Sequence, residues 1–283
     1  MTTKARLFAP WRPPVSVRRV RALEVVRKMR GGAQADLVLT SAGWYVVKWK
    51  QNPQHRRVLV NEAASAELLR QLGIRAPEWA VVQADDAFLR SNPNARIESR
   101  RGCIQVEAGF HFGSKVPVDP ETQEIYDLIP RSLFSRVDNL GDFIRVLVFD
   151  VWVDNCDGRQ AIFTRAPGNR LSAWMIDNGH ALGFDGERWD LRDRPCVKGF
   201  PLLSDLYGSR GADEEFGSMV AKIRSLADIG LDDVRRAIPS EWIAGDHSSL
   251  SRVFDDLVLR SMRLDALVED ARTHLLQDCA RSA

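Results

Sequence analysis

Leu147-Val-Phe-Asp-Val-Trp-Val-Asp-Asn-Cys-Asp157-Gly-Arg-Gln160 is an apolar run that breaks into a polar loop, and it decides how the 283-residue chain is read. Residues 140–153 carry Phe143, Ile144, Val146, Leu147, Val148, Phe149, Val151, Trp152 and Val153. A helix this apolar leaves little face for water, so it is expected at the centre of a core. Two short strands follow, 161–164 and 171–176, joined by the turn Ala166-Pro-Gly-Asn169 and ending at Asp177-Asn-Gly179. Asp157 and Asp177 thus emerge from core elements, where a carboxylate is costly unless it meets a cation or takes a substrate proton. Such a pair suits phosphoryl transfer: Asp157 orients and deprotonates an attacking hydroxyl, and Asp177 holds Mg²⁺ against the phosphates. Gln160 offers an amide oxygen as a further ligand to an ion that prefers oxygen. Taken alone, Asp157-Gly158 and Asp177-Asn-Gly179 are also what ordinary turns look like.

Toward the N-terminus the pattern changes to strands. Residues 23–29 and 35–40 flank Gly31-Gly-Ala-Gln34, and Trp44-Tyr-Val-Val-Lys48-Trp-Lys50 alternates as a third strand. Asn52-Pro53 then opens a long amphipathic helix over 54–72, stopped by Gly73. Lys48 on a strand and Glu62 on the next helix, with Glu67 as second choice, form the kind of ion pair that aligns ATP phosphates, although separately each is a common surface residue. The glycines of 31–34 allow backbone N–H groups to approach phosphate oxygens, and equally suit a plain hairpin turn. Strands are expected over 77–83 and 101–107, with a helical turn at 86–90 and a polar loop at 91–99 between them. The Gly-rich stretch Gly109-Phe-His-Phe-Gly113-Ser114 is expected to connect two lobes. Helices are expected at 124–133, 213–226, 231–237 and 248–280, with a loop-rich region from 177 to 209.

Composition narrows the function classes. Forty Lys and Arg against 38 Asp and Glu lack the basic excess of a dedicated nucleic-acid binder, although Arg and Lys crowd the first thirty residues. Cys103, Cys156, Cys196 and Cys279 form no CxxC pair, so neither a zinc knuckle nor a disulfide framework is indicated. The five histidines make no HExxH, and GxGxxG, GxxxxGK[ST] and GxSxG are absent. No apolar leader or spanning segment stands out, and a cytoplasmic protein without membrane contact is expected.

The ordered set Gly31-Gly-Ala-Gln34, Tyr45-Val-Val-Lys48, Asn61-Glu62, Gly109 to Ser114, Asn155-Cys-Asp157-Gly-Arg-Gln160 and Ile176-Asp177-Asn-Gly179 resembles the HipA-like kinase family, and more narrowly its compact stand-alone bacterial branch. The resemblance spans about residues 20–275. It implies an α+β, bilobal protein-kinase-like fold: an N-terminal antiparallel sheet with one long helix, and a mainly helical C-terminal lobe. The expected divisions are a basic lead-in (1–22), an ATP-phosphate-binding lobe (23–110) and a catalytic, metal-binding lobe (111–283). It implies ATP and Mg²⁺ as cofactors, with Lys48, Glu62 and Asp157 catalytic and Asp177 with Gln160 at the metal. Gly31, Gly32, Ala33, Gln34, Lys48, Glu107 and Gly109 would bind the nucleotide, and the acceptor would be Ser or Thr of a protein. Better-studied HipA proteins carry an Asn five positions after the catalytic aspartate; here Ile162 stands there and Gln160 comes after three. A pseudokinase that binds nucleotide or a partner protein without transfer is therefore the alternative.

Overall fold

The computed structural model describes residues 17–99, 102–194, 197–200, 203–209 and 211–282. The chain begins β1 (Arg19–Lys28), β2 (Asp36–Thr40), β3 (Gly43–Lys48), α1 (Arg57–Leu72), β4 (Trp79–Ala84), α2 (Asp86–Ser91), β5 (Arg96–Ser99), β6 (Gly102–Gln105) and β7 (Gly109–Lys115). It continues with β8 (Ile125–Tyr126), a 3-10 helix (Arg131–Arg136), α3 (Asp142–Trp152), β9 (Gln160–Ala166) and β10 (Arg170–Ile176). Helices α4 (Ser204–Tyr207), α5 (Ala212–Ile229), α6 (Asp232–Ala237), α7 (Ser240–Ile243), α8 (His247–Met262) and α9 (Leu264–Ser282) complete a mixed α+β fold. Most of the expected basic lead-in, residues 1–16, lies outside the described residues, and residues 19–22 belong to β1.

The first sheet is not purely antiparallel. It closes as a barrel in the order β1-β2-β3-β7-β4 because β1 pairs with β4 in parallel, Arg19 opposite Val81, while the other pairs are antiparallel. Closure leaves neither terminal strand with an unpaired edge. The stretch expected to connect the lobes is β7, paired on one side with β3 and on the other with β4, so the expected boundary at 110 falls inside a strand. Gly113 is needed there for packing rather than bending: a Cβ would lie 2.4 Å from Val82 Cγ2 and 3.1 Å from Tyr45 Cδ1. The chain leaves the barrel after Lys115, where the Val116 N–H donates to the Trp44 carbonyl at 2.9 Å.

Two helix expectations need correction. Residues 124–133 hold β8, which pairs with Thr164 and Phe163 of β9, and then Pro130 precedes the 3-10 helix. Proline lacks an N–H and disfavours helical geometry in the residue before it, so the apolar spacing of this segment does not continue as one helix. The helix expected over 248–280 is two, α8 and α9, divided at Arg263 (φ −108°, ψ 14°). Strand β5 also occupies part of the expected polar loop at 91–99 and pairs with β6.

Helix α3 is the centre of the larger core, with every residue except Arg145 buried. It contacts α5, α8 and α9, and its Phe143 ring lies 4.9 Å from that of Phe200. Each fully buried Leu, Ile or Phe stabilises such a core by about 1.5–3 kcal/mol. Helix α1 joins the same core through Leu59, Ala63, Leu68 and Leu69, whereas Val38, Val47, Val82 and Phe88 belong to a second core in the barrel. Among the described residues no helix is long and apolar enough to cross a membrane.

Candidate active site

Lys48 is the last residue of β3, opposite Phe112 of β7, and is only 8% exposed. Its ammonium donates to Glu62 Oε1 on α1 and to Asp177 Oδ1, the latter at 2.8 Å. Glu62 Oε1 also accepts the Asn178 N–H at 3.1 Å. One cation therefore serves two carboxylates from elements far apart in sequence. Burial favours loss of the Lys48 proton, but the charges of Glu62 and Asp177 outweigh it and raise its pKa. Burial dominates at Glu62 and raises its pKa; at Asp177 burial acts in the same direction, yet the charge and hydrogen bond of Lys48 bring the pKa below the usual value. Asp177 has φ 59°, a left-handed conformation that costs a non-glycine residue roughly 1–2 kcal/mol, and its Oδ2 accepts from Gln160 Nε2 at 3.1 Å.

A second charge pair supports the loop that carries Asp157. Arg159 Nε donates to Asp150 Oδ2 at 3.0 Å, and a second guanidinium nitrogen bonds Asp150 Oδ1. Arg159 also donates to the Ile176 carbonyl at 3.1 Å and to Asn178 Oδ1 at 3.0 Å, tying this loop to the one after β10. Asn155 bridges Asp150 Oδ1 (3.0 Å) and the Asp157 N–H (3.3 Å), and Asp157 Oδ1 accepts the Gly158 N–H at 2.8 Å. On the other side of the site, Asn61 of α1 donates to the Gly179 carbonyl and accepts from Trp189 Nε1, both at 2.7 Å.

The site opens on a cavity of about 800 Å³. Lys48, Glu62, Asp157, Gln160 and Asp177 reach it together with Gly31, Gly32 and Ala33, while Leu37, Val46, Phe112 and Met175 contribute apolar wall. Three residues expected at the nucleotide are not in its lining. Gln34 bonds strand β5, Glu107 pairs with Lys50 at 3.1 Å, and Gly109 packs beside the Lys50 side chain. Glu67 pairs with Arg70 of its own helix. His111, two residues after Gly109, is fully buried; its Nδ1 accepts the Lys50 N–H at 3.1 Å, and burial lowers its pKa to about 3. Asp150 escaped the sequence reading, and Asn155, Arg159 and Asn178 stand in its motifs without an assigned role. A lone acid in the apolar run 146–153 is the signal for Asp150, since a buried carboxylate demands a partner.

The donor set fits Mg²⁺. Among the described residues no three His, Cys, Asp or Glu side chains cluster as a metal cage, but a carboxylate and an amide lie side by side at the cavity. Mg²⁺ is held by one or two carboxylates, with phosphate oxygens and water completing its shell.

Residues 22–170 match the family model described as HipA-like kinase. No curated protein matches the chain in sequence. Among solved structures it is similar to hydra Fam20 with sugar, at 15% identity and a TM-score of 0.52, covering 94% of this chain and 88% of that one. It is also similar to Shewanella oneidensis HipA from a complex with HipB and operator DNA, at 11% identity, TM-score 0.49, and 81% and 60% coverage. The Helicobacter pylori proinflammatory kinase CtkA gives 12% identity, TM-score 0.45, and 90% and 98% coverage.

Proposed function

The chain belongs to the HipA-like kinase family, and on that premise we propose that it is an ATP- and Mg²⁺-dependent kinase that phosphorylates Ser or Thr of a protein. The observation that carries this reading is the Lys48 ammonium held between Glu62 and Asp177 at the edge of a cavity that Asp157 also lines. In a two-lobed arrangement the barrel with α1 forms one wall and the segment from β8 onward the other. The apolar wall of Leu37, Val46, Phe112 and Met175 suits a purine, and Lys48 lies where triphosphate oxygens need a cation. Asp177 and the Gln160 amide oxygen would hold Mg²⁺, which when bound neutralises charge on the β- and γ-phosphate oxygens.

Asp157 acts on the acceptor. Its carboxylate takes the hydroxyl proton as the oxygen bonds to the γ-phosphorus; the bond from that phosphorus to the β-phosphate oxygen breaks and ADP leaves. Asp150, Arg159 and Asn155 keep the loop in place. A nucleotide-binding pseudokinase is the second reading, favoured by the Gln160 N–H directed at Asp177 and by Ile162 in place of an amide. Radiolabelled γ-phosphate transfer to a cell lysate, followed by phosphoamino-acid analysis, separates the two. Label on phosphoserine or phosphothreonine is the expected result; saturable ATP binding with no transfer favours the pseudokinase.

A further inference from the structure

Gly31–Ala33 forms a glycine turn in the cavity wall. Gly31 has φ 118°, and a Cβ there would meet nothing within 4 Å. The turn closes through the Gln34 N–H to the Gly31 carbonyl at 3.2 Å, and Asn52 reaches the Ala33 carbonyl from the other side at 3.4 Å. The principal anchor is a neighbouring hairpin. Gln34 Nε2 donates to the Glu98 carbonyl at 2.8 Å, and the Glu98 N–H donates back to Gln34 Oε1 at 2.7 Å. Lys28, on the strand leading into the turn, donates to the Arg96 carbonyl at 2.7 Å, to the Gln34 carbonyl at 3.3 Å and to buried Asp36 at 2.8 Å. The β5–β6 pair is a sheet separate from the barrel, so these side chains join the glycine turn to an element that does not line the cavity.

We propose that Gln34 is a positioning residue for the nucleotide phosphates: its carboxamide pairs with the backbone of β5 and thereby fixes the direction of the Gly31–Ala33 N–H groups. The proposal rests on the nucleotide reading above, and it moves Gln34 from contact with ATP to control of the turn that meets it. A free turn loses phosphate contacts before it loses the purine, because the apolar wall belongs to other elements. Gln34 stands at φ 47°, so an alanine there bears a similar backbone cost and the substitution isolates the amide.

Calorimetric titration of wild type, Gln34→Ala and Gln34→Glu with Mg-ATP and, separately, with adenosine tests this. Losing the paired hydrogen bonds is expected to weaken Mg-ATP about fivefold in Gln34→Ala, with adenosine affinity unchanged and Tm lowered by no more than about 2–4 °C. Gln34→Glu keeps the shape but sets a carboxylate against the Glu98 carbonyl, and is expected to weaken Mg-ATP at least as much. Unchanged Mg-ATP affinity in both variants, or an equal fall for ATP and adenosine, overturns the proposal while leaving the nucleotide reading in place. A wild type that binds neither ligand overturns both.

Discussion

Two charge networks meet through Asn178, which bonds Arg159 in one and Glu62 in the other, and they are built in opposite ways. Asp150 and Arg159 are closed in, with side chains 2% and 1% exposed, and Asn155, Asn178 and the Ile176 carbonyl add hydrogen bonds to them. Lys48, Glu62 and Asp177 set two carboxylates on one ammonium, with the Asp177 side chain 32% exposed at a cavity. A closed pair holds loops together. A pair with surplus negative charge facing open space is suited to exchange partners for a metal and phosphates.

The closed network should show its purpose in stability. Arg159→Met leaves Asp150 buried without its cation and is expected to cost about 3–5 kcal/mol in urea unfolding, whereas replacing both by apolar residues of similar volume should cost much less. Lys48→Met should show the reverse balance: a stability loss of less than half that of Arg159→Met, with transfer reduced by on the order of 10³ because a positioned phosphate cation is gone. Equal stability losses in the two would erase the distinction. Gln160→Ala is expected to reduce transfer about tenfold with little change in Tm, since its amide is solvent-exposed and its hydrogen bond goes to Asp177. The smallest effect is in pH. Because folding raises the Lys48 pKa above 10.5, its stabilisation is full below that value and fades as pH rises beyond it. The gap between wild type and Lys48→Met in urea midpoint should therefore stay constant near neutral pH and narrow above pH 10.5. Asp177 runs the other way: its pKa is lowered, so its contribution is full above 3.8 and disappears as pH falls below it.

The open network was largely legible in the sequence. Alternation placed Lys48 on a strand, helical spacing placed Glu62 on the next element, and the apolar run before Asp157 announced a buried helix; all reach one cavity together with Asp177 and Gln160. The closed network was not, because a pattern gives the face on which a residue lies and not the partner it meets, as Arg159 of the loop meets Asp150 of α3, 9 positions back in the chain. Gly113 shows a related limit. Its stretch is expected from sequence to connect two lobes, and in the fold Gly113 lies within β7 and makes room for Val82 on a neighbouring strand, a contact that sequence spacing does not encode. Gln34 shows the same limit: its place beside two glycines suggested a ligand contact, while its carboxamide serves β5.

The measurement that tests the central claim most directly is γ-phosphate transfer from ATP with Mg²⁺ by wild type, Asp157→Ala and Asp177→Ala, each first shown to be folded. The account predicts incorporation by wild type and a loss of at least about 10²–10³ in each variant. Transfer that persists in either variant, or a wild type that binds ATP and transfers nothing, would contradict it.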